Sequence, residues 1–275
     1  MNNFYIFSLA YPETLDKETF ISIVSDFEIE GLEEKPDSVD VYINLSEREN
    51  YEIFLKDLSE TIPLEYTIGE LENKNWNAEW ESNFEPVLIN DKIGIRAIFH
   101  EPLQNVDREI IIQPQMSFGT GHHATTAQVM MGMQQLDFTN KKVLDLGSGT
   151  AVLAIYAEIL GAKEIDALDN DEWCFNNAKE NLALNQSSLT KPLLGSIEEV
   201  MHKNYDIILA NIHKNFHLEH LKQYAIMMNE GAYILLSGFY ASDSREILDK
   251  ALECNLIANY SSVRDNWAMI ILYKN

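Results

Sequence analysis

Cysteine is nearly absent from this chain. Its 275 residues hold two, Cys174 and Cys254, too few for a disulfide framework or a zinc site, and the cytoplasm is the expected compartment. Long apolar runs are missing as well. No stretch reaches the roughly 18 consecutive apolar residues of a membrane span, so none is expected. Met1 to Ala10 lack the basic flank of a signal peptide and read as a strand. Basic residues are scarce: 20 Lys and Arg stand against 44 Asp and Glu, a net charge of -24. The imbalance is steepest at the front, where residues 1–105 carry 23 acids and 7 bases, against 21 and 13 in residues 106–275. Such a field repels phosphate backbones and attracts cationic partners. Direct nucleic-acid readout is therefore not expected, whereas a basic protein or peptide fits.

With 46% apolar residues the chain can bury a proper core. Its organising stretch is Lys142-Val143-Leu144-Asp145-Leu146-Gly147-Ser148-Gly149-Thr150-Ala151. An apolar strand stops at a glycine turn, and a helical pattern follows through Val152, Leu153, Ile155, Tyr156 and Ile159. A second strand, Glu164 to Leu168, ends on Asp169. Strand, glycine turn, helix, strand and acid form the opening half of a nucleotide-binding α/β domain. A dinucleotide fingerprint needs glycine at its first, third and sixth positions. Here these are Gly147, Gly149 and Val152, and valine would crowd a pyrophosphate. A P-loop ends in Gly-Lys-Ser/Thr, and this turn has no such lysine. What remains is a turn beside a sugar-linked ligand, with a carboxylate at Asp169 able to accept both ribose hydroxyls. That suits S-adenosylmethionine. Asp169 could instead only cap the following helix. Asp145 could face the site or pair with nearby backbone.

The front of the chain reads as a small acidic α/β domain over residues 1–65, ferredoxin-like, with helices near 15–27 and 47–60 and Ser46 as N-cap of the second. Its acids form either a solvated surface or a substrate-docking face. Residues 66–105 read as a linker helix and strands. Trp76, Trp80 and Phe84 stand four apart on one helix face, for packing or for contact with a partner. Residues 106–275 form the main domain. In it Phe118-Gly119-Thr120-Gly121-His122-His123-Ala124-Thr125-Thr126 follows a strand. The glycines allow close backbone approach and the hydroxyls and imidazoles offer donors and acceptors. Thr125 or Thr126 could instead cap the next helix. Two adjacent histidines lack a third ligand at suitable spacing, so no metal is expected.

Ser196 and Ile197 follow the third strand and are candidates for an adenine pocket. The fourth strand, 205–210, runs into Asn211, whose amide can donate and accept beside the reactive end of the cofactor. His213, His217 and His220 invite a metal, but no acid accompanies them in a His-Glu-x-x-His pattern, and surface, core or substrate contact are the other readings. The tail ends in strands 256–260 and 267–273 joined by 261–266. An antiparallel hairpin at the edge of an otherwise parallel sheet favours a methyltransferase. The expected fold is α/β, a Rossmann-like seven-stranded class I methyltransferase sheet behind the small front domain, in a monomer.

Three stretches make the chain similar to the ribosomal protein L11 methyltransferase family along nearly its whole length. They are Phe118 to Thr126, Val143 to Gly149 with Gly161-Ala162 and Asp169 behind it, and Leu209-Ala210-Asn211-Ile212. Trp80-Glu81-Ser82-Asn83-Phe84 also matches. The resemblance implies S-adenosylmethionine-dependent methylation of lysine and N-terminal amines of L11, free or ribosome-bound, with the front domain recognising L11. It carries cofactor contacts onto Thr126, Gly147, Asp169 and Asn211. Phe118, Gly119, Gly149 and Ser196 join them from the reading of the residues, and His122 or His123 could accept a proton. The family's Gly-Cys-Gly-Ser-Gly is Gly-Ser-Gly-Thr-Ala here, and the front domain is short. Two rivals stand: a methyltransferase of another protein, RNA or a small molecule, and a nucleotide-binding module without catalysis.

Overall fold

The computed structural model describes residues 4–27, 29–70, 84–90, 92–115 and 117–275. Trp76 and Trp80 of the expected linker helix lie outside them. The chain divides into two compact units, Met1–Asn83 and Phe84–Asn275.

In the first unit β1 (Phe4–Ala10), α1 (Lys17–Ser25), β2 (Gly31–Glu34), β3 (Ser38–Asn44), α2 (Arg48–Ser59) and β4 (Tyr66–Glu70) follow in order. The antiparallel sheet runs β2-β3-β1-β4, the βαββαβ arrangement of a ferredoxin-like domain. Alternation decides its inner face: Tyr5, Phe7 and Leu9 on β1 and Val39, Val41 and Ile43 on β3 bury against Phe20, Val24, Tyr51 and Leu55 of the helices. Because β4 pairs with β1, this sheet extends past residue 65. Ser46 is not the cap of α2. Residues Leu45–Glu47 make a 3₁₀ turn before the helix, and the Asn44 side chain takes the Ser46 amide instead.

The second unit opens with a three-stranded sheet, β5 (Val87–Asn90), β6 (Ile93–Ala97) and β7 (Arg108–Ile112), in which β6 is central. Next come α3 (Ala124–Met133), β8 (Lys142–Leu146), α4 (Val152–Ile159), β9 (Glu164–Asp169), α5 (Glu172–Leu184) and β10 (Thr190–Leu194). The chain closes with β11 (Tyr205–Asn211), α6 (Lys214–Met227), β12 (Met228–Tyr240), α7 (Ser244–Leu252), β13 (Leu256–Arg264) and β14 (Trp267–Lys274). The main sheet runs β10-β9-β8-β11-β12-β14-β13, and β14 is antiparallel to both neighbours. The tail is a hairpin, but its last strand lies inside the sheet and β13 takes the edge. Its link is tighter than residues 261–266: Asp265 and Asn266, with φ of 51° and 65°, alone turn the chain, as a two-residue hairpin requires.

Successive residues of each strand point to opposite faces, and each face has its own core. Val143, Ile165, Ile207, Leu209, Leu235 and Ile271 bury on one side; Leu144, Leu146, Leu168, Ile208, Ala210, Leu236 and Ile270 bury on the other. Each such side chain contributes about 1.5–3 kcal/mol. Strand order reverses between β8 and β11, so the carboxyl ends of β8, β9 and β11 open onto one crevice. Among the described residues no helix is long and apolar enough to cross a membrane.

Candidate cofactor and acceptor site

The glycine turn is held by backbone. Gly147 and Ser148 amides donate to the Leu168 carbonyl at 2.8 and 3.1 Å, and the Gly149 amide donates to Asp169 Oδ2 at 2.9 Å. Gly149 has φ of +51°, and a Cβ there would sit 2.3 Å from the Phe118 carbonyl oxygen. The backbone that approaches so closely is therefore the chain's own loop. Thr150 completes that seat: its amide donates to Phe118 O at 3.0 Å and its hydroxyl to Gly119 O at 2.7 Å. Helix α4 then starts at Ala151, left-handed at φ of 61° and without a side-chain cap. Asp145 supplies the missing acceptor. From β8 its Oδ2 takes the Ala154 amide at 3.0 Å, so it pairs with backbone. It is 1% exposed. Burial, with a smaller push from Asp169, raises its pKa to about 8 against the pull of that amide.

Beside the turn lies a cleft of about 380 Å³. Gly147, Asp169, Asn170 and Ser196 line it, with Leu146, Leu168, Ile197, Ile212 and Phe216 as apolar walls. Asp169 Oδ1 accepts the Asp171 amide at 3.1 Å. The cap of α5 is Asp171, which accepts from Cys174 N at 3.0 Å. Asp169 is thus not the helix cap; each of its oxygens keeps a lone pair, and the residue lines the cleft.

A second group of side chains gathers at the end of β11. Asn211 Nδ2 donates to Thr126 Oγ1 at 3.4 Å, while Asn211 Oδ1 is buried without a hydrogen-bond partner. Neither Thr125 nor Thr126 caps α3; both lie inside its first turn. The cap is His123, whose Nδ1 accepts the Thr125 amide at 3.4 Å. The same Nδ1 lies 2.8 Å from Thr125 Oγ1. His122 is committed locally too. Its Nε2 lies 2.8 Å from the Glu85 carbonyl, which can only accept, and its Nδ1 lies 3.0 Å from Thr120 Oγ1. Phe118, His123, Trp267 and Tyr240 form a chain of rings with centroid spacings of 5.2, 4.8 and 4.4 Å.

The three later histidines differ in role, and His213 and His220 both line the cleft. His213 caps α6, accepting the Phe216 amide. His217 is core: its Nε2 meets Ser237 O at 2.8 Å, and burial lowers its pKa to about 4. His220 stacks on Phe216 at 4.0 Å. Among the described residues no group of three metal-ligating side chains comes together. Sequence reasoning missed Asn170 and Phe216 in the cleft, and Trp267 and Tyr240 in the ring chain. Phe216 was findable, one helical turn after His213 at the end of β11. Trp267 was not, because only the reversed direction of β14 brings it there.

A Rossmann-like sheet with an antiparallel penultimate strand, and a cleft bounded by a glycine turn and an acid at the next strand end, define a class I S-adenosylmethionine-dependent methyltransferase. Buried, unpaired Asn211 Oδ1 and the free lone pairs of Asp169 fit a bound polar cofactor. Within that class the chain belongs to the ribosomal protein L11 methyltransferase family: the family model "Ribosomal protein L11 methyltransferase (PrmA)" matches residues 12–275. The chain is 41% identical over 223 residues to a ribosomal protein L11 methyltransferase of Phocaeicola vulgatus, covering 78% of this chain and 79% of that one. It is 34% identical over 278 residues to that of Porphyromonas gingivalis, covering 97% and 95%. The crystal structure of a ribosomal protein L11 methylase from Lactobacillus delbrueckii subsp. bulgaricus is similar in fold, with a TM-score of 0.64 and 24% identity over 70% of this chain and all of that one.

Proposed function

We propose that this protein methylates ribosomal protein L11, moving methyl groups from S-adenosylmethionine to lysine side-chain and N-terminal amines. The acceptor is read from the family and from relatives that carry this name along most of their length. The observation that carries the chemistry is the unpartnered Asn211 Oδ1 at the end of β11, a hydrogen-bond acceptor waiting for an N–H. In this reading Asp169 holds the ribose hydroxyls, the Gly147 turn and Gly149 lie along the sugar, and Ser196 and Ile197 flank the base. Thr126, Phe118 and Gly119 bound the methionine end. When bound, the cofactor supplies a methyl group on a cationic sulfonium.

The chain's own residues prepare the acceptor. A lysine ammonium, with a pKa of about 10.4, has no lone pair. Desolvation against Phe118, Trp267 and Tyr240 favours its neutral form, and Asn211 Oδ1 orients the N–H that remains. His122 places both ring nitrogens, and His123 its Nδ1, on neighbouring groups, so neither is assigned as a proton acceptor. The acidic first unit is the docking element for the cationic partner.

Labelled S-adenosylmethionine offered with purified L11, ribosomes and total RNA tests the reading. Label is expected in L11. Label in RNA with none in L11 would establish the rival methyltransferase, and cofactor binding without transfer to anything would establish the non-catalytic module.

A further inference from the structure

Helix α5 carries asparagines at 177 and 181, and its C-cap is Asn185, each one turn from the last. Asn177 is 1% exposed and Asn181 fully buried, although asparagine is a poor interior helix residue that favours caps and turns. The outer edge of β7 and the residue just past it account for them. Among the described residues β7 pairs in its sheet with β6 alone, which leaves outward amides and carbonyls needing partners. Asn185 accepts from Ile111 N at 2.8 Å and donates to Ile111 O at 2.6 Å. Asn181 Oδ1 accepts from Gln113 N at 2.7 Å, and Asn177 Nδ2 donates to Gln113 O at 3.0 Å. The three side chains stand in for a missing strand.

Asn181 does one thing more. Its Nδ2 donates to Thr150 O at 3.0 Å, and Thr150 is the residue on which Phe118 and Gly119 sit. One amide therefore ties the start of the 113–123 segment to the glycine turn that seats its middle. We propose that Asn181 is a positioning residue for methyl transfer: it clamps the segment bearing Phe118 and His123 against the turn, so that the acceptor half of the site is assembled. The proposal rests on the methyltransferase reading above. The ribose half of the cofactor site does not depend on the clamp, because Gly147, Ser148 and Gly149 amides go to Leu168 and Asp169; only its methionine end shares the clamped segment. Binding and turnover should then separate.

Asn181→Ala removes the clamp. Thr150→Val removes the hydroxyl bond to Gly119 with little change in shape, leaves the Asn181 bond to the Thr150 carbonyl, and tests the seat through which the clamp acts if Asn181→Ala does not fold. Asn185→Ala cuts the ties to Ile111 and the bond to the Asn181 carbonyl but leaves the Asn181 side-chain bonds to Gln113 and Thr150, and serves as control. Three quantities are measured: kcat on L11, calorimetric affinity for S-adenosylhomocysteine, and hydrogen exchange across 117–123. Asn181→Ala and Thr150→Val are expected to lower kcat about 10- to 100-fold, the scale of a misplaced reacting group. Affinity should fall far less than kcat, because the ribose contacts are kept, and exchange in 117–123 should rise in both. Asn185→Ala should match wild type in all three. Equal losses of kcat and affinity, unchanged exchange, or a loss in Asn185→Ala as large as in Asn181→Ala would overturn the clamp. If wild-type enzyme methylates no L11, the functional reading fails, and exchange with affinity still decides the clamp.

Discussion

Replacing Asp169 with alanine separates a ribose-binding carboxylate from a merely structural one. Its two oxygens already accept the Gly149 and Asp171 amides at 2.9 and 3.1 Å, so the carboxylate is held still, with its remaining lone pairs beside the cleft. A hydrogen bond to a charged group contributes about 1.5–3 kcal/mol. Two ribose hydroxyls at the lower figure give about 3 kcal/mol, or roughly 150-fold in affinity. Titration calorimetry with S-adenosylhomocysteine reads this directly. Asp171→Ala is the matched control. It deletes the cap of α5, in which Asp171 accepts from Cys174 N, and should cost about 1 kcal/mol of stability while leaving affinity unchanged. Binding by Asp169→Ala within about threefold of wild type, or an equal loss in Asp171→Ala, would refute the assignment.

Asp145 makes stability depend on pH. Its folded pKa of about 8 lies above an unfolded value of about 3.9, so the folded state holds the proton more tightly. The chain loses stability from this group as pH rises from about 4 to about 8, and the loss then levels off. Asp145→Asn abolishes that slope, with a gain at pH 7 of at most about 4 kcal/mol. Urea melts at pH 5 and pH 8 should show the variant's advantage growing with pH; a constant offset would contradict it. Ala151→Gly should be nearly neutral. Relief of about 1 kcal/mol in the left-handed region is offset by about 0.5–1 kcal/mol of added unfolded-chain freedom and the loss of one buried methyl. A melting shift of more than about 4 °C would show that one of these contributions is misjudged.

Local signals were legible where chemistry is local. The glycine turn and Asp169 sit on one strand-turn-helix-strand unit, and their spacing alone places them together. Cap positions were less legible, because several neighbours can each accept the same amide. Glu47 stands at the N-cap of α2 without a side-chain bond while Asn44 caps the 3₁₀ turn before it, and His123, a less common cap, displaced Thr125 and Thr126. Strand β2 reads Gly-Leu-Glu-Glu, without apolar alternation, and owes its conformation to pairing with β3. Asp145 was ambiguous because strand parity says only which face it takes, not whether an amide waits there. The asparagines of α5 look like surface residues in sequence. Their partners at Ile111 and Gln113 lie 74 and 68 residues or so away, and only the edge position of β7 creates the need for them. The rings of Trp267 and Tyr240 meet because β14 runs against β12.

The most direct measurement is the intact mass of L11 after incubation with S-adenosylmethionine and this enzyme, followed by peptide mapping. The account predicts whole-methyl increments on lysine side chains or the N-terminus, made far more slowly by Asn211→Ala at saturating cofactor. Unmodified L11 beside a folded, cofactor-binding enzyme, or full modification by Asn211→Ala at the wild-type rate, would contradict it.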